Sequence, residues 1–277
     1  TKMKYLKTII ILTVSVMSLF SCRDDDKEPE MIYIEDSPAL EQITIKELMQ
    51  DDGGPVTREE NFYYNEEHKL VRYVSTQIYG DPVIENETQI TYLENEAIII
   101  DELNNKSIYT LNAKGYATSC IRYEVGGNTR EYTFDYSTNT LNGAYLTGIT
   151  EYVKGNIRSK IMFDNLALHD ATLSVQSGDI TNIFQLSFTQ KNTSRLPWFF
   201  LTEIYPLNFH AIAMYARLLG DNPMYLLGTV QPKGGDEITT YTYANDTAGQ
   251  LSSYTEITRS NGKSYNRIIN YIVTLAQ

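Results

Sequence analysis

The chain of 277 residues carries 23 lysines and arginines against 35 aspartates and glutamates, which gives a net charge of −12. This acidity argues against nucleic acid and anionic lipid head groups as partners of the protein body, since both require clustered Lys and Arg. The chain has 22 tyrosines but only two cysteines, so a framework of several disulfides is excluded.

Residues 1–21 have the pattern of a secretory signal. Lys4 and Lys7 precede an uncharged and mostly apolar run, which is shorter than the roughly 20 residues that a membrane-spanning helix needs. The run ends in Leu19-Phe20-Ser21-Cys22, which resembles a bacterial lipobox. The resemblance implies that cleavage occurs before Cys22 and that Cys22 is acylated, so that the protein is attached to a membrane through its lipid.

An acidic tether is predicted over residues 22–41, because this stretch is charged and has little periodicity. The acidic run directly after Cys22 resembles the surface-export signal of lipoproteins in the Bacteroidota. That resemblance implies a location on the outer membrane, facing the cell exterior. A solvated, disordered spacer is the alternative interpretation of the same charges.

Residues 42–277 are predicted to form a single domain, because one β-rich fold of this length is common. Residues 42–50 fit either a short helix or a first strand. The Asp-Asp-Gly-Gly-Pro sequence at 51–55 predicts a turn. It lacks the further spaced carboxylates of a calcium loop.

From residue 57 onward the dominant pattern is an alternation of apolar and polar residues in stretches rich in Tyr, Thr and Ile. Residues 130–136, 182–189 and 271–275 are clear examples. Short Gly- and Asn-containing turns separate such stretches at the spacing of consecutive hairpins. The sequence therefore predicts an all-β, mainly antiparallel fold: a meandering barrel or strongly curled sheet of about a dozen strands.

Cys120 lies in one of these stretches. Alternation places it with Thr118, Arg122 and Glu124 on the more polar face of a strand. A nearby Arg could activate a thiolate, but no histidine can be placed beside it. An inert small residue within the sheet is the favoured interpretation.

One helix is predicted near residues 208–219, within an apolar insertion over residues 196–220. Asn208 could cap its N-terminus, and Gly220 suits the position that follows its C-terminus. The apolar side chains of this helix recur at helical spacing. Its apolar face is expected to lie against the sheet or to plug one end of the barrel.

The aromatic residues of the insertion and of the Tyr-rich strands are the candidate ligand-binding residues. They could form a sugar-stacking platform or the mouth of an apolar pocket, although core packing is the common role of such residues. The candidates are Trp198, Phe199, Phe200, Tyr132, Tyr136, Tyr241 and Tyr243.

No pattern of catalytic or metal-binding residues is present. His68, His169 and His210 are the only histidines and have no metal-ligand spacing. The adjacent carboxylates Glu66 and Glu67 are typical of a solvated turn, although a carboxylate pair could serve a hydrolase. We therefore predict no catalytic residue, no metal and no cofactor.

The lipobox, the acidic run, the Tyr-rich hairpins and the late insertion together resemble a family of Bacteroidota lipoproteins. That family is described only as a domain of unknown function with a porin-like fold. The resemblance covers residues 57–277 and implies an antiparallel barrel without an assigned activity. Charged residues within predicted strands, such as Arg72 and Lys160, argue against a barrel that faces lipid.

The predicted function is therefore that of an uncharacterised cell-surface lipoprotein, a non-catalytic binding module for a glycan or a small apolar ligand. The alternative is a structural or protein-interaction scaffold of the outer envelope, with another envelope protein as partner. A hydrolase is the third hypothesis, and a hollow or filled barrel interior would discriminate among them.

Overall fold

The computed structural model describes residues 40–49, 56–78, 83–137, 144–164, 170–192, 196–260 and 267–275. The predicted signal, nearly all of the predicted tether, Cys22 and His169 lie outside the described residues.

Within the described residues, sixteen antiparallel strands form a closed barrel. The predicted all-β antiparallel barrel is confirmed, with more strands than the dozen expected. Some neighbouring strands are joined by a turn without glycine, such as the turn between Tyr92 and Glu96, and the sequence does not mark such a turn clearly. The strands are β1 (Leu40–Met49), β2 (Val56–Tyr64), β3 (Leu70–Gln77), β4 (Ile84–Tyr92), β5 (Glu96–Ile100), β6 (Lys106–Leu111), β7 (Ala117–Tyr123), β8 (Thr129–Tyr136), β9 (Leu146–Val153), β10 (Asn156–Asp164), β11 (Asp170–Ser177), β12 (Ile180–Lys191), β13 (Tyr225–Pro232), β14 (Glu237–Asn245), β15 (Leu251–Ser260) and β16 (Arg267–Leu275).

The barrel is a simple meander. Each strand pairs with its neighbours in sequence, and β1 pairs with β16 to close the ring. At this closure Ile43 lies opposite Val273, and both side chains are buried. The stretch that was ambiguous between helix and strand is therefore the strand that closes the barrel, which removes an exposed sheet edge.

The two faces of the sheet differ sharply in polarity. In β8, Tyr132 and Phe134 are buried while Glu131 and Thr133 are exposed, as expected for a half-buried strand. Polar residues continue along the outer face on neighbouring strands, where Thr133 lies opposite Thr150 and Thr150 lies opposite Lys160. The barrel interior is thus mostly apolar, although it also holds buried polar residues such as Arg122 and Glu151, and most of its outer face is polar.

The insertion between β12 and β13 packs inside the barrel. It contains two 3-10 helices, Phe199–Glu203 and Leu207–His210, and one short helix, α1 (Ala211–Tyr215). Aromatic side chains of the insertion reach inward-facing rings on β2 and β15, which lie on either side of the closure between β1 and β16. Tyr215 contacts Phe62 with ring centroids 5.0 Å apart, and Phe199 stacks on Tyr254 at 5.4 Å.

The α-helix is shorter than the one predicted over 208–219. It ends in a Schellman motif in which the residue after the cap is Arg217, with a φ of 58°, rather than Gly220. The Leu218 N–H donates to the Ala213 carbonyl at 2.9 Å, and the Arg217 N–H donates to the Met214 carbonyl at 3.0 Å. Asn208 lies within the preceding 3-10 helix, so it does not cap α1. No helix in the described parts of the chain is long and apolar enough to cross a membrane.

Candidate functional site

A cavity of about 380 Å³ lies between the insertion and the ends of several strands. Its lining consists of a group of buried residues and a group of partly or fully exposed residues. The buried lining residues are Phe163, Pro197, Trp198, Leu201, Met214, Leu219 and Gly220. The partly or fully exposed ones are Ser137, Tyr145, Leu146, Thr147, Phe188, Asp221, Asn222, Pro223, Met224 and Tyr225.

Trp198 holds the insertion against the wall of this cavity. Its indole ring stacks on Phe188 of β12 with centroids 5.2 Å apart, and its Nε1–H donates to the Tyr225 carbonyl at 2.9 Å. The side chain is almost fully buried. An indole whose N–H is paired with a strand carbonyl has one fixed orientation, so Trp198 presents a rigid wall to the cavity.

Gly220 and Asp221 fasten the end of the insertion to the start of β9. Gly220 has a φ of 88°, and a Cβ at this position would lie 2.5 Å from the Ala144 carbonyl oxygen. Only glycine permits this conformation and this close approach without strain. The carboxylate of Asp221 accepts hydrogen bonds from the Tyr116 hydroxyl at 2.8 Å and from the Ala144 N–H at 2.9 Å. The mouth of the cavity is therefore held by backbone and side-chain contacts.

The seven candidate residues from the sequence are not brought together at this cavity. Only Trp198 lines it. Trp198 also borders a second recess of only about 20 Å³, which is lined in part by Phe199, Phe200, Tyr241 and Tyr243. That space is close to the size of a single water molecule, so these four residues pack the core around it.

The remaining two candidates serve the packing of the insertion. The Tyr136 hydroxyl donates to the Ala117 carbonyl at 2.6 Å, and its ring lies beside Gly220. Tyr132 is buried, with its ring 4.4 Å from that of His210 at a nearly perpendicular angle. Neither Tyr136 nor Tyr132 lines the cavity, and both help to pack the barrel interior.

A buried polar cluster occupies another part of the interior, with Glu151 at its centre. Glu151 is fully buried, and its carboxylate accepts from Arg130 Nη1 at 2.7 Å, from Ser159 Oγ at 2.7 Å and from the Tyr205 hydroxyl at 2.5 Å. Because Tyr205 belongs to the insertion, this carboxylate ties the insertion to strands β8, β9 and β10. A buried carboxylate with this many donors satisfies the requirement for charge pairing inside a protein.

Two arginines of the same cluster flank an aromatic ring of the insertion. The guanidinium carbons of Arg122 and Arg130 lie 5.0 Å and 5.4 Å from the ring centroid of Phe209. Arg122 also pairs with Asp101 at 2.5 Å, and Arg130 pairs with Glu124 at 2.8 Å. The cation–π contacts and ion pairs together fix the insertion over the polar cluster.

His210 is enclosed by aromatic rings in the barrel interior. Its Nδ1 lies 2.8 Å from the hydroxyl of Tyr109, and it is fully buried. Burial, reinforced by the positive charge of Arg122, lowers the pKa of His210 to about 3. The imidazole is therefore neutral at physiological pH, which suits a packing role and not proton transfer near neutrality.

Cys120 is also buried, and its environment does not activate it. Burial raises the pKa of the Cys120 thiol to about 12 despite the nearby Tyr109 and Arg122. A register shift at the start of β7 places Thr118 on the outer face, while Cys120 and Arg122 face inward. The prediction that Thr118 shares a face with Cys120 and Arg122 is therefore wrong, because the bulge breaks the alternation of faces along the strand.

In the described ranges, no group of three or more His, Cys, Asp or Glu side chains could hold a metal ion. His68 lies in an exposed turn between β2 and β3 with a φ of 58°.

Sequence reasoning missed most of the cavity residues. Asp221 follows Gly220 and precedes Pro223, a local signal of a turn. Its partners Ala144 and Tyr116 are 77 and 105 residues away in the chain. No local pattern indicates contacts of that range.

Comparisons with known proteins identify relatives of this barrel. A family model described as a domain of unknown function (DUF4595) with porin-like fold matches residues 62–253. A crystal structure of a porin-like protein from Bacteroides uniformis ATCC 8492 is 34% identical, with a TM-score of 0.77, and the match covers 86% of this chain and 98% of that one. A porin-like protein from Bacteroides vulgatus ATCC 8482 is 12% identical over 86% of this chain and 99% of that one, with a TM-score of 0.49.

No curated protein matches the chain. The family model matches more than half of the sequence. The porin-like protein from Bacteroides uniformis is similar to this chain in both sequence and fold. The chain therefore belongs to the DUF4595 family, the domain of unknown function with porin-like fold.

Proposed function

We propose that the protein is a non-catalytic binding module that holds a small apolar ligand in the cavity beside Trp198. The observation that carries the proposal is this cavity of about 380 Å³ with a mostly apolar lining. Ligand pockets of proteins typically have volumes of roughly 300–1,000 Å³ and predominantly apolar walls. The high pKa of the Cys120 thiol gives no support to the hydrolase hypothesis.

An apolar ligand suits the cavity better than a glycan does. A sugar-binding platform needs an aromatic face that is open to solvent, whereas Trp198, Tyr132 and Tyr241 are each less than a tenth exposed. The ring of Trp198 is already stacked on Phe188, and that of Tyr132 is packed against His210 of the insertion. Apolar surface buried in the cavity would in contrast contribute about 25 cal/mol for each Å² removed from water.

The only tryptophan of the chain provides a direct test, because it lines the cavity. We expect 1-dodecanol to change the fluorescence of Trp198 saturably in the purified body, residues 36–277. Leu219→Phe, which adds volume to a lining residue, should weaken this binding at least tenfold. Leu218→Phe makes the same change at an adjacent buried residue outside the lining and should bind normally.

Two results would contradict the proposal. One is a fluorescence that does not respond to the alcohol at any concentration below its solubility limit. The other is equal binding by the Leu219→Phe and Leu218→Phe variants, since the ligand would then occupy another site.

We further propose that the module is a lipoprotein, attached through Cys22 to the outer membrane and facing the cell exterior. The Leu-Phe-Ser-Cys sequence and the following acidic run support this, and a porin-like fold agrees with an association with the cell envelope. A polar outer face suits a body that stands in water, beyond the lipid to which it is tethered.

Labelling cells with a palmitate analogue tests the anchor. We expect the full chain to be labelled and to sediment with the outer membrane. Cys22→Ala should remove the label and release the protein, whereas Cys120→Ala should leave both unchanged. An unlabelled wild-type chain, or a Cys22→Ala chain that stays in the membrane, would refute the anchor.

A further inference from the structure

We propose that the cavity selects amphiphiles whose head group is a protonated amine, with Asp221 as the residue that recognises it. This inference rests on the proposed ligand-binding function and adds the chemical class of the ligand. It is drawn from the distribution of polarity and charge around the cavity.

The buried side of the cavity is almost purely apolar. Phe163, Trp198, Leu201, Met214 and Leu219 are each less than a tenth exposed. A hydrocarbon chain placed against these residues would leave water without separating any polar group from a partner. The tail of an amphiphile is therefore expected to point toward this side.

The polar side chains of the lining belong to partly exposed residues, apart from the buried Trp198, whose N–H is already paired. Asp221 is the one charged residue among the described lining residues, and neither Lys nor Arg is among them. Ser137 and Asn222 lie there as uncharged neighbours. A head group near these residues would thus experience a single negative charge at short range, in a protein whose net charge is also negative.

Asp221 can accept further hydrogen bonds in its present position. Its Oδ1 accepts from the Tyr116 hydroxyl and its Oδ2 from the Ala144 N–H. A carboxylate offers about four lone-pair sites, so each oxygen has capacity for one more donor. These two contacts also fix the orientation of the carboxylate, so that it is preorganised for a ligand.

An ammonium head matches this arrangement, and a carboxylate head does not. The ammonium carries three donors and a positive charge, and its hydrogen bonds to a carboxylate are charge-assisted. A fatty acid would place its own carboxylate beside that of Asp221, which is unfavourable. A neutral alcohol should fall between the two, because it can donate one hydrogen bond without charge attraction.

The test compares three probes of equal chain length: dodecylammonium, 1-dodecanol and dodecanoate. Binding of each probe is measured by its effect on the fluorescence of Trp198, at concentrations below those at which micelles form. With the wild-type body we expect dodecylammonium to bind about tenfold more tightly than dodecanol, and dodecanoate to bind most weakly. Asp221→Asn should remove the advantage of the amine over dodecanol and the disadvantage of dodecanoate. This variant retains an acceptor for the Ala144 N–H, so the mouth should keep its shape.

A control separates recognition by Asp221 from attraction to an acidic protein. Glu102→Gln removes one negative charge at an exposed turn outside the cavity, and it should leave the preference for the amine intact. Equal weakening by Glu102→Gln and Asp221→Asn would overturn the inference. So would equal affinities for the three probes in the wild-type protein, a comparison that needs no variant.

The possible failures are distinguishable. If all three probes bind with equal affinity, the proposed ligand-binding function stands and the selectivity for amines falls. If no probe changes the fluorescence of Trp198, both fall together.

Discussion

Glu151→Gln is expected to destabilise the barrel by about 3 kcal/mol or more, measured as the free energy of unfolding in urea. The substitution removes the charge that pairs with Arg130 and gives an amide group facing Ser159 and Tyr205, which donate to Glu151 in the native protein. Loss of one partner from a buried ion pair typically costs about 3–5 kcal/mol, because the other charge is left uncompensated. We expect a loss near the lower end of this range, because Arg130 retains its ion pair with Glu124.

The exposed ion pair between Arg72 and Glu87 provides the matched control. Its N–O distance of 2.8 Å is close to the 2.7 Å between Arg130 and Glu151, but both of its side chains are more than a third exposed. Solvent screens such a pair, so Glu87→Gln should leave the unfolding midpoint unchanged within error. Equal effects of the two substitutions would show that the cluster around Glu151 does not secure the insertion.

The likeness to porins concerns the path of the chain and not the distribution of polarity. An outer-membrane barrel exposes an apolar band around its whole circumference and has a polar interior. In this protein the interior is filled by rings such as Tyr254 and Tyr271, stacked 4.0 Å apart. The outer face instead carries pairs such as Ser187 with Thr229, whose hydroxyl oxygens are 2.7 Å apart.

One apolar row does interrupt the polar outer face. Ile98, Ile108 and Ile121 lie opposite one another on β5, β6 and β7. Beyond β7 the row continues to Glu131 on β8, so it covers three strands and does not form a belt. The arrangement of side chains therefore favours an aqueous environment for the barrel wall.

The fold could be predicted from the sequence because strand alternation is local. Residues two apart share a face, so the pattern in Arg130–Tyr136 is sufficient to identify a half-buried strand. The same logic failed around Cys120, where a register shift moved Thr118 to the other face. A bulge is set by pairing with the adjacent strand and leaves little trace in one strand's own sequence.

The length of the helix could not be predicted for a related reason. Helical spacing of apolar residues identifies one buried face, but the insertion lies inside a barrel and has walls on several sides. Phe209 contacts Arg122 and Arg130 instead of continuing an apolar stripe. Arg217 then adopts a left-handed conformation, which Gly would adopt more easily, and ends the helix. Tertiary contacts thus override the local preference.

The candidate site was the least predictable feature. The apolar character of the Trp198 region is evident from the sequence, and Trp198 does line the cavity. The cavity itself exists because side chains from β10, β12 and the insertion leave space between them. Packing defects of this kind depend on the positions of all neighbours, so they have no local sequence signal.

As the pH falls below neutral, the wild-type protein is expected to lose stability relative to a His210→Asn variant, because of His210. The pKa of His210 is about 3 in the folded state, against about 6.5 in an unfolded chain. Between these values the unfolded state binds more protons than the folded state, so folding stability falls as the pH decreases. The slope approaches about 1.4 kcal/mol per pH unit.

Urea unfolding at several pH values between 5 and 7.5 measures this difference. The Asn side chain does not titrate in this range, and its oxygen can accept from the hydroxyl of Tyr109 in place of Nδ1. Other groups that titrate contribute equally to both proteins, so the gap between the two curves isolates His210. Burial raises the pKa of Tyr109 and that of Tyr132, so both rings stay neutral at these pH values, and the positive charge of Arg122 opposes protonation of the imidazole.

His68→Asn is the matched control, since His68 lies in an exposed turn with a left-handed φ that Asn also tolerates. It makes the same side-chain change at an exposed site. Parallel curves for wild type and His210→Asn would instead mean that water reaches the imidazole and that the interior is less closed than its packing indicates. A diverging His210→Asn curve would establish that the insertion stays inside the barrel in solution, since only a dry interior holds the imidazole neutral over this range.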